Sequence, residues 1–236
     1  MIVRYGNQLL SDGGKLATLP PKEAPSGYFK LYEFDEDLFP SGGSETTYNW
    51  TAVGSIDYVD GKIRDKKAVE FDQTGALNSY ATSPIAKIWS NDGTWPNSDM
   101  SVSFWYNFED VACNIIWQYY TSTYDSSHIL STDATGSLLL NCWYEDGWDD
   151  QSCYGQLETG WNHIVIIRDN WDWLMYVNNE FQSDLTFNHG MSATDIQLGY
   201  NGGATYGGGA IQQMYWYLDV LTESQISDLY NYGLGV

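Results

Sequence analysis

The sequence predicts an all-β fold, an antiparallel sandwich of two sheets. Three observations predict it. Runs rich in β-branched and aromatic residues recur along the chain, and these residue types suit a pleated, half-buried surface. Clusters of Gly, Pro, Asn and Asp punctuate the runs, as short antiparallel connections require. Some runs are also apolar at every position, Ile164-Val165-Ile166-Ile167 and Leu138-Leu139-Leu140 among them. A strand of that kind needs cover on both faces. One cover is the opposing sheet; long loops, an arm or a partner subunit are the options for the other.

Taken in order, residues 1–27 differ from the rest. They carry Gly13-Gly14, Pro20-Pro21 and Pro25 and few aromatics, and they read as an extended N-terminal arm. Such an arm is expected to be held on its own sandwich or on a neighbouring chain. The sandwich itself is expected over 28–236. Its strands are predicted at Tyr28–Phe34, Thr47–Val53, Lys67–Phe71, Leu77–Thr82, Met100–Phe108, Asn114–Tyr120 and Ser137–Tyr144. Further strands are predicted at Ser152–Leu157, Asn162–Arg168, Trp173–Val177, Asp195–Tyr200 and Ala210–Leu218. Turn signals lie at Pro40-Ser41-Gly42-Gly43, Asp60-Gly61, Asn91-Asp92-Gly93, Asp146-Gly147 and Asn201-Gly202-Gly203. Asp169-Asn170 separates two of the aromatic runs, and Asn178-Asn179 turns the chain into a third.

One helix is predicted near the end. Thr222-Glu223-Ser224-Gln225 has the form of a capping box, the Thr hydroxyl and the Gln three residues on satisfying each other's backbone. Ile226, Leu229 and Tyr230 follow at helical spacing, and Gly233 reads as the C-terminal stop. The apolar stripe is expected to pack on the sandwich edge.

Composition narrows the function. Aromatics make up 16% of the chain, with 11 Trp and 19 Tyr, more than a core of this size needs. Some rings are therefore expected at the surface, where they serve interfaces or sugar faces. The net charge is −21 although only 17% of residues are charged, because Lys and Arg are scarce. That field repels nucleic-acid phosphates and anionic membranes, so neither is an expected partner. No apolar run is long enough for a membrane span, and no basic segment leads into an apolar block as in a secretory signal.

Cys113, Cys142 and Cys153 are an odd set, so they cannot all pair within the chain. Cys142 and Cys153 flank the Asp146-Gly147 turn and are placed either to face each other across a hairpin or to remain free, buried thiols. Their spacing does not suit zinc.

Glu145-Asp146-Gly147-Trp148-Asp149-Asp150 is the densest acidic cluster, and Trp143 and Tyr144 stand beside it. Rings that stack on a pyranose face next to acids that accept hydroxyl hydrogen bonds are the make-up of a wet sugar site. Trp143, Tyr144, Asp146, Trp148 and Asp149 are therefore the candidate carbohydrate-binding residues; a polar turn with core-facing rings is the structural alternative. His163 precedes an apolar run and reads as a satisfied structural residue. His128 and His189 have no evident nucleophile beside them. Gly207-Gly208-Gly209 lacks the Lys-Ser/Thr ending of a phosphate cradle and reads as a hairpin tip.

Several separated segments resemble the laminin-G-like branch of the concanavalin A-like jelly rolls. Ala68-Val69-Glu70-Phe71-Asp72 is similar to that family's Ala-Leu-x-Phe-Asp-Gly strand, with Gln73 where Gly is usual, and Asn78-Ser79-Tyr80 follows where Asp-Tyr-Val is common. Ser101-Val102-Ser103-Phe104-Trp105 resembles its Thr-Ile-Ser-Phe-Trp strand. The Trp161–Asn179 strands resemble its paired strands. Gly209 to Tyr217, leading into Leu221-Thr222-Glu223-Ser224-Gln225-Ile226, resembles its closing strand and final helix. The resemblance implies two stacked antiparallel sheets over roughly 28–236.

It also implies what to expect of metals and catalysis. In related sandwiches a carboxylate near the closing strand helps hold calcium, whereas this chain has Gln212-Gln213 there, and a neutral amide is a poorer ligand for a hard cation. No calcium site carries over, although Asp72 and Asp219 have oxygens to offer elsewhere. No cofactor is expected. Glycan-cleaving relatives use a Glu-x-Asp-x-x-Glu strand with carboxylates spaced for acid and nucleophile roles. The nearest string here, Glu33-Phe34-Asp35-Glu36-Asp37-Leu38, ends on Leu and lies on the opening strand. It reads as a solvated strand end.

The leading expectation is a non-catalytic virion structural or surface protein, a bacteriophage decoration, fibre or tail-associated component. It would dock to other virion proteins, or to copies of itself, through the arm, with rim loops free to touch a host glycan. A stand-alone carbohydrate-binding adhesin or lectin is the second expectation, and a glycan hydrolase or lyase the third.

Overall fold

The computed structural model describes residues 3–5, 8–10, 16–18, 26, 28, 30–34, 42–43, 50–53, 56–63, 66–71, 80–83, 99–109, 114–120, 126–144, 147–187, 195–199 and 209–234. The strands are β1 (Val3–Tyr5), β2 (Gln8–Leu10), β3 (Leu16–Thr18), β4 (Lys30–Tyr32), β5 (Gly42–Gly43), β6 (Thr51–Val53), β7 (Ile56–Asp60), β8 (Lys67–Phe71), β9 (Tyr80–Ser83) and β10 (Met100–Phe108). They continue as β11 (Asn114–Tyr120), β12 (Ser126–Thr132), β13 (Ser137–Tyr144), β14 (Gly147–Gln156), β15 (Gly160–Asp169), β16 (Asp172–Val177), β17 (Glu180–Thr186), β18 (Asp195–Leu198) and β19 (Ala210–Tyr217). One helix, α1 (Glu223–Leu234), follows.

Two large antiparallel sheets make the sandwich. The first runs β17-β16-β15-β10-β19-β4-β5, with β8 also on β19 and β7 on β8. The second runs β14-β13-β12-β11-β18-β9-β6. Consecutive hairpins such as β15-β16-β17 and β11-β12-β13-β14 alternate with neighbours far apart in the chain, as in β10 beside β15 and β19, which is the wrapping of a jelly roll. Within the segment expected as an arm, β1, β2 and β3 pair with one another as a three-stranded sheet.

The closing strand β19 is bent at one point. Gln213 has φ 50°, and the register with β10 slips between Ser103 and Trp105, the extra residue of a bulge. The bend lets two strands share its outer edge. Met214 to Trp216 pair with β4, while Ala210 and Ile211 pair with β8.

The main core lies between the sheets. Phe104, Ile164, Ile166 and Trp216 from the first sheet meet Trp117, Leu138, Leu140 and Ile196 from the second, and the Phe104 and Trp117 rings stand 5.7 Å apart. A second cluster lies on the outer face of the first sheet. Val165, Ile167, Tyr215 and Tyr217 pack there under Leu221, Ile226 and Leu229. The helix is therefore the second cover that the all-apolar β15 demands, and it lies across the sheet face rather than on the sandwich edge. Fully burying a side chain of this kind contributes about 1.5–3 kcal/mol.

Other expectations need correction. β13 is covered on one face only: Leu138 and Leu140 are fully buried, but Leu139 between them is half-exposed. Gly42–Gly43, expected as a turn, is a short strand on β4. Gly233, expected as the stop of α1, is its penultimate residue and is buried. A Cβ there would lie 2.1 Å from Trp105 Nε1, so the glycine is the notch that lets the helix sit on that indole. The capping box does form: Gln225 Oε1 accepts from Thr222 N at 2.9 Å, and Gln225 N donates to Thr222 Oγ1 at 3.3 Å.

Candidate functional site

The sequence-predicted sugar residues fall on one hairpin. Trp143 and Tyr144 end β13, and Trp148 and Asp149 begin β14. Tyr144 pairs with Gly147 after a register slip that starts at Cys142, so the hairpin end is irregular, the geometry by which a strand re-aims its side chains. Asp146 lies outside the described residues, as do the side chains of the other four. Further along the hairpin the outward surface is defined. Tyr154 is 58% exposed, its register partner Leu139 is half-exposed, and Ser152 donates to Asn141 Oδ1 at 2.6 Å.

β14 is the edge of its sheet, and side chains from β17 occupy that edge. Ser183 Oγ accepts from Tyr154 N at 2.7 Å and donates to Tyr154 O at 2.8 Å. Gln182 Oε1 accepts from Gln156 N at 3.3 Å. These bonds close one side of the sandwich and stop the edge from templating another chain. They also fix the base of the candidate hairpin. Cys142 and Cys153 face the core beneath it. Both are free thiols, because Cys142 stands opposite Gln151 and Cys153 opposite Leu140. Burial pushes the Cys153 thiol up to about 12.

A cleft of about 390 Å³ opens on the other sheet, between the β16–β17 turn and the start of α1. Tyr176, Asn179 and Phe181 line one side; Glu223, Ser224 and Ser227 line the other, with Ile226 beneath. The Tyr176 and Phe181 rings meet edge to face at 5.5 Å. Burial, and then the Glu223 carboxylate, push the Tyr176 hydroxyl above its ordinary value. The turn residues Asn178 and Asn179 have φ 51° and 68°, the left-handed pair of a tight hairpin. Asn178 is anchored: His163 N donates to its Oδ1 at 2.9 Å, and its Nδ2 donates to Asn162 Oδ1 at 3.1 Å. The sequence signalled the Asn-Asn turn and the helix cap separately. That tertiary packing joins them into one cleft has no local signature.

The remaining candidates among the described residues have structural partners. His163 is buried with Nε2 2.8 Å from Ser103 Oγ and its ring against Trp105 and Tyr230. Burial lowers it to about 3, so it is neutral. Glu33 is paired with Lys66 at 2.6 Å. Gln212 closes a loop: its Oε1 accepts from Ile63 N at 2.9 Å, and its Nε2 donates to Lys67 O at 2.9 Å. Gly61 makes room for that amide, since a Cβ there would lie 2.1 Å from Gln212 Nε2. Asp219 Oδ1 accepts from Val220 N, and Asp72, His189 and the His128 side chain lie outside the described residues. Among the described residues no group of three or more His, Cys, Asp or Glu is placed to hold a metal. No helix among them is long and apolar enough to cross a membrane.

A family model described as the Concanavalin A-like lectin/glucanases superfamily, of laminin-G type, matches residues 74–227, more than half of the chain. The chain belongs to that superfamily. Among solved structures, this concanavalin A-like sandwich is similar to the binding domain of botulinum neurotoxin DC in complex with rat synaptotagmin II. The TM-score is 0.67 at 12% identity, over 88% of this chain and 52% of that one. It is likewise similar to the structure of botulinum neurotoxin type C described with two ganglioside molecules, at 13% identity, TM-score 0.67, and 88% and 51% coverage. The chain thus spans about half the length of those toxin domains. Domain 4 of AbnA, an extracellular arabinanase from Geobacillus stearothermophilus, in complex with arabinotriose, matches at 24% identity with a TM-score of 0.62. There the overlap covers 86% of this chain and 98% of that domain. At these identities the likeness establishes the fold alone. A search of curated protein sequences found no match.

Proposed function

We propose that this sandwich is a non-catalytic glycan-binding module. One observation carries the reading: a sandwich of the same extent, the arabinanase domain, overlaps it almost end to end and is complexed with arabinotriose. The toxin domains, described with gangliosides and a protein receptor, belong to the same structural neighbourhood. The β13–β14 hairpin is the proposed contact surface. It combines Trp143, Tyr144 and Trp148 with Asp146 and Asp149 in sequence, and Tyr154 further along β14 is exposed. Aromatic bodies with polar tips suit a wet sugar site. Binding of arabinotriose or arabinan to the purified chain, and its loss in Trp148→Ala, tests the assignment. Binding that survives the substitution removes the hairpin from it.

The finer part of the proposal is the setting. A bacteriophage virion surface, with residues 1–27 as the attachment to other virion proteins or to further copies of the chain, is supported by three features. These are the scarce Lys and Arg, the aromatic excess, and an N-terminal segment whose strands pair among themselves. Deleting residues 1–27 and measuring incorporation into the parent particle tests it. Undiminished incorporation counts against docking through that segment.

A further inference from the structure

The cleft between the β16–β17 turn and α1 has the composition of a ligand site. Phe181 is 52% exposed on an edge strand, where a polar residue would serve the sheet equally well. Its ring turns its edge or face to Tyr176 at 5.5 Å with 68° between planes, giving an aromatic wall with one free side. Facing that wall is the first turn of α1 with Glu223, Ser224 and Ser227. The cap of α1 is satisfied by Thr222 and Gln225, so Glu223 and Ser224 are not occupied in capping. Asn179 stands at the turn with φ 68°, a conformation costly for most side chains but natural for Gly. The amide of its neighbour Asn178 is held by His163 N and the Asn162 side chain. The Asn179 amide makes no such bond among the described residues and lines the cleft.

We infer that this cleft is a second binding site, on the sheet opposite the β13–β14 hairpin, for a neutral sugar ring. About 390 Å³ falls in the range of small-molecule sites, which run to roughly 300–1,000 Å³. Phe181 offers a flat apolar face to ring C–H groups. Glu223 accepts hydroxyl hydrogen bonds, Asn179 both donates and accepts, and Ser224 and Ser227 do either. An acidic sugar is disfavoured twice, by Glu223 in the cleft and by the net charge of −21. This site does not depend on the hairpin assignment, and separate substitutions distinguish the two.

The experiment uses the full chain, with cellotriose and xylotriose as neutral probes and trigalacturonate as the acidic one, followed by amide-resolved NMR. At least one neutral probe is expected to shift the Asn179 side-chain amide and the backbone amides of Glu223 and Ser224. Phe181→Ala should weaken that binding about tenfold, and Glu223→Gln severalfold, with the rest of the spectrum retained. Trp148→Ala should leave these shifts in place. The inference is overturned if neither neutral probe perturbs these amides at about 10 mM. It is also overturned if Phe181→Ala binds as the parent does, or if trigalacturonate binds more tightly than both neutral probes.

Discussion

Asn178 Nδ2 donates to Asn162 Oδ1 at 3.1 Å, and this contact ties the β16–β17 turn to the start of β15. Asn162 is fully buried and uses all its hydrogen-bonding capacity. Its Nδ2 donates to Glu158 O at 2.6 Å and Gly160 O at 2.9 Å, and its Oδ1 also accepts from Glu158 N at 3.0 Å. One amide thus fixes both the turn into β15 and the turn out of β16. Asn162→Ala removes four part-buried hydrogen bonds around a buried position, so a loss of about 2–3 kcal/mol is expected in urea denaturation.

The adjacent position gives the opposite sign. Asn179 holds φ 68° and its side chain is not used by the turn. Asn179→Gly creates an Asn-Gly hairpin turn and relieves the strain, and a gain of about 0.5–1 kcal/mol is expected. Thermal unfolding of the purified variant checks it.

His163 makes stability depend on pH. Its folded-state value lies near 3 against an ordinary 6.5, so the unfolded chain binds the proton more readily. The contribution is fully present above about pH 6.5 and is lost as the pH falls toward 3. The groups facing the ring are Ser103, Trp105 and Tyr230, with Lys62 Nζ 5.6 Å from the centre of the Trp105 ring. None offers an anion to hold a protonated imidazole. Urea midpoints measured from pH 7 to about pH 4 should fall more steeply for the parent than for His163→Gln, by up to one proton.

Gly233 inverts the usual rule for helices. Gly→Ala inside a helix ordinarily stabilises by about 1 kcal/mol. Here the added methyl meets the Trp105 indole, so Gly233→Ala is expected to cost about 2–3 kcal/mol. Gly160→Ala, where a Cβ meets nothing within 4 Å but φ is +98°, carries backbone strain alone. A comparison of the two by denaturant titration separates overlap from strain.

Gln212 closes the loop after β7 with two bonds that need both halves of an amide. Gln212→Glu replaces the donor to Lys67 O by an oxygen and buries a charge. A loss of about 3 kcal/mol is expected, and added calcium should restore none of it. Restoration by calcium would reveal a latent ion site.

Much of the fold was legible because its signals are local. β8, β10, β11 and β13 have the bounds expected from their sequence runs, since apolar periodicity and flanking turn formers agree there. β7 and β12 carry weaker patterns, Ile-Asp-Tyr-Val-Asp and a stretch of four hydroxyl residues around His-Ile-Leu, and their positions were set by their neighbours. β17 was foreshadowed by the Asn-Asn turn, but its mostly exposed run has little apolar signal. Gly42–Gly43 pairs because β4 offers it an edge, which no propensity scale anticipates. The helix was readable from its cap, but the face it covers was not. That depends on Val165 and Ile167 meeting Ile226 and Leu229, a contact between distant parts of the chain. The candidate hairpin was legible as composition, while the cleft, built from Tyr176, Phe181 and Glu223, was not.

The most direct test of the account is one incubation with two readouts. The purified chain and its Trp148→Ala variant are mixed with arabinan, and bound protein and newly formed reducing ends are measured together. The account predicts that the parent is retained on the polysaccharide, that the variant is not, and that neither releases sugar. Equal retention of both proteins, or reducing ends that accumulate with the parent, would contradict it.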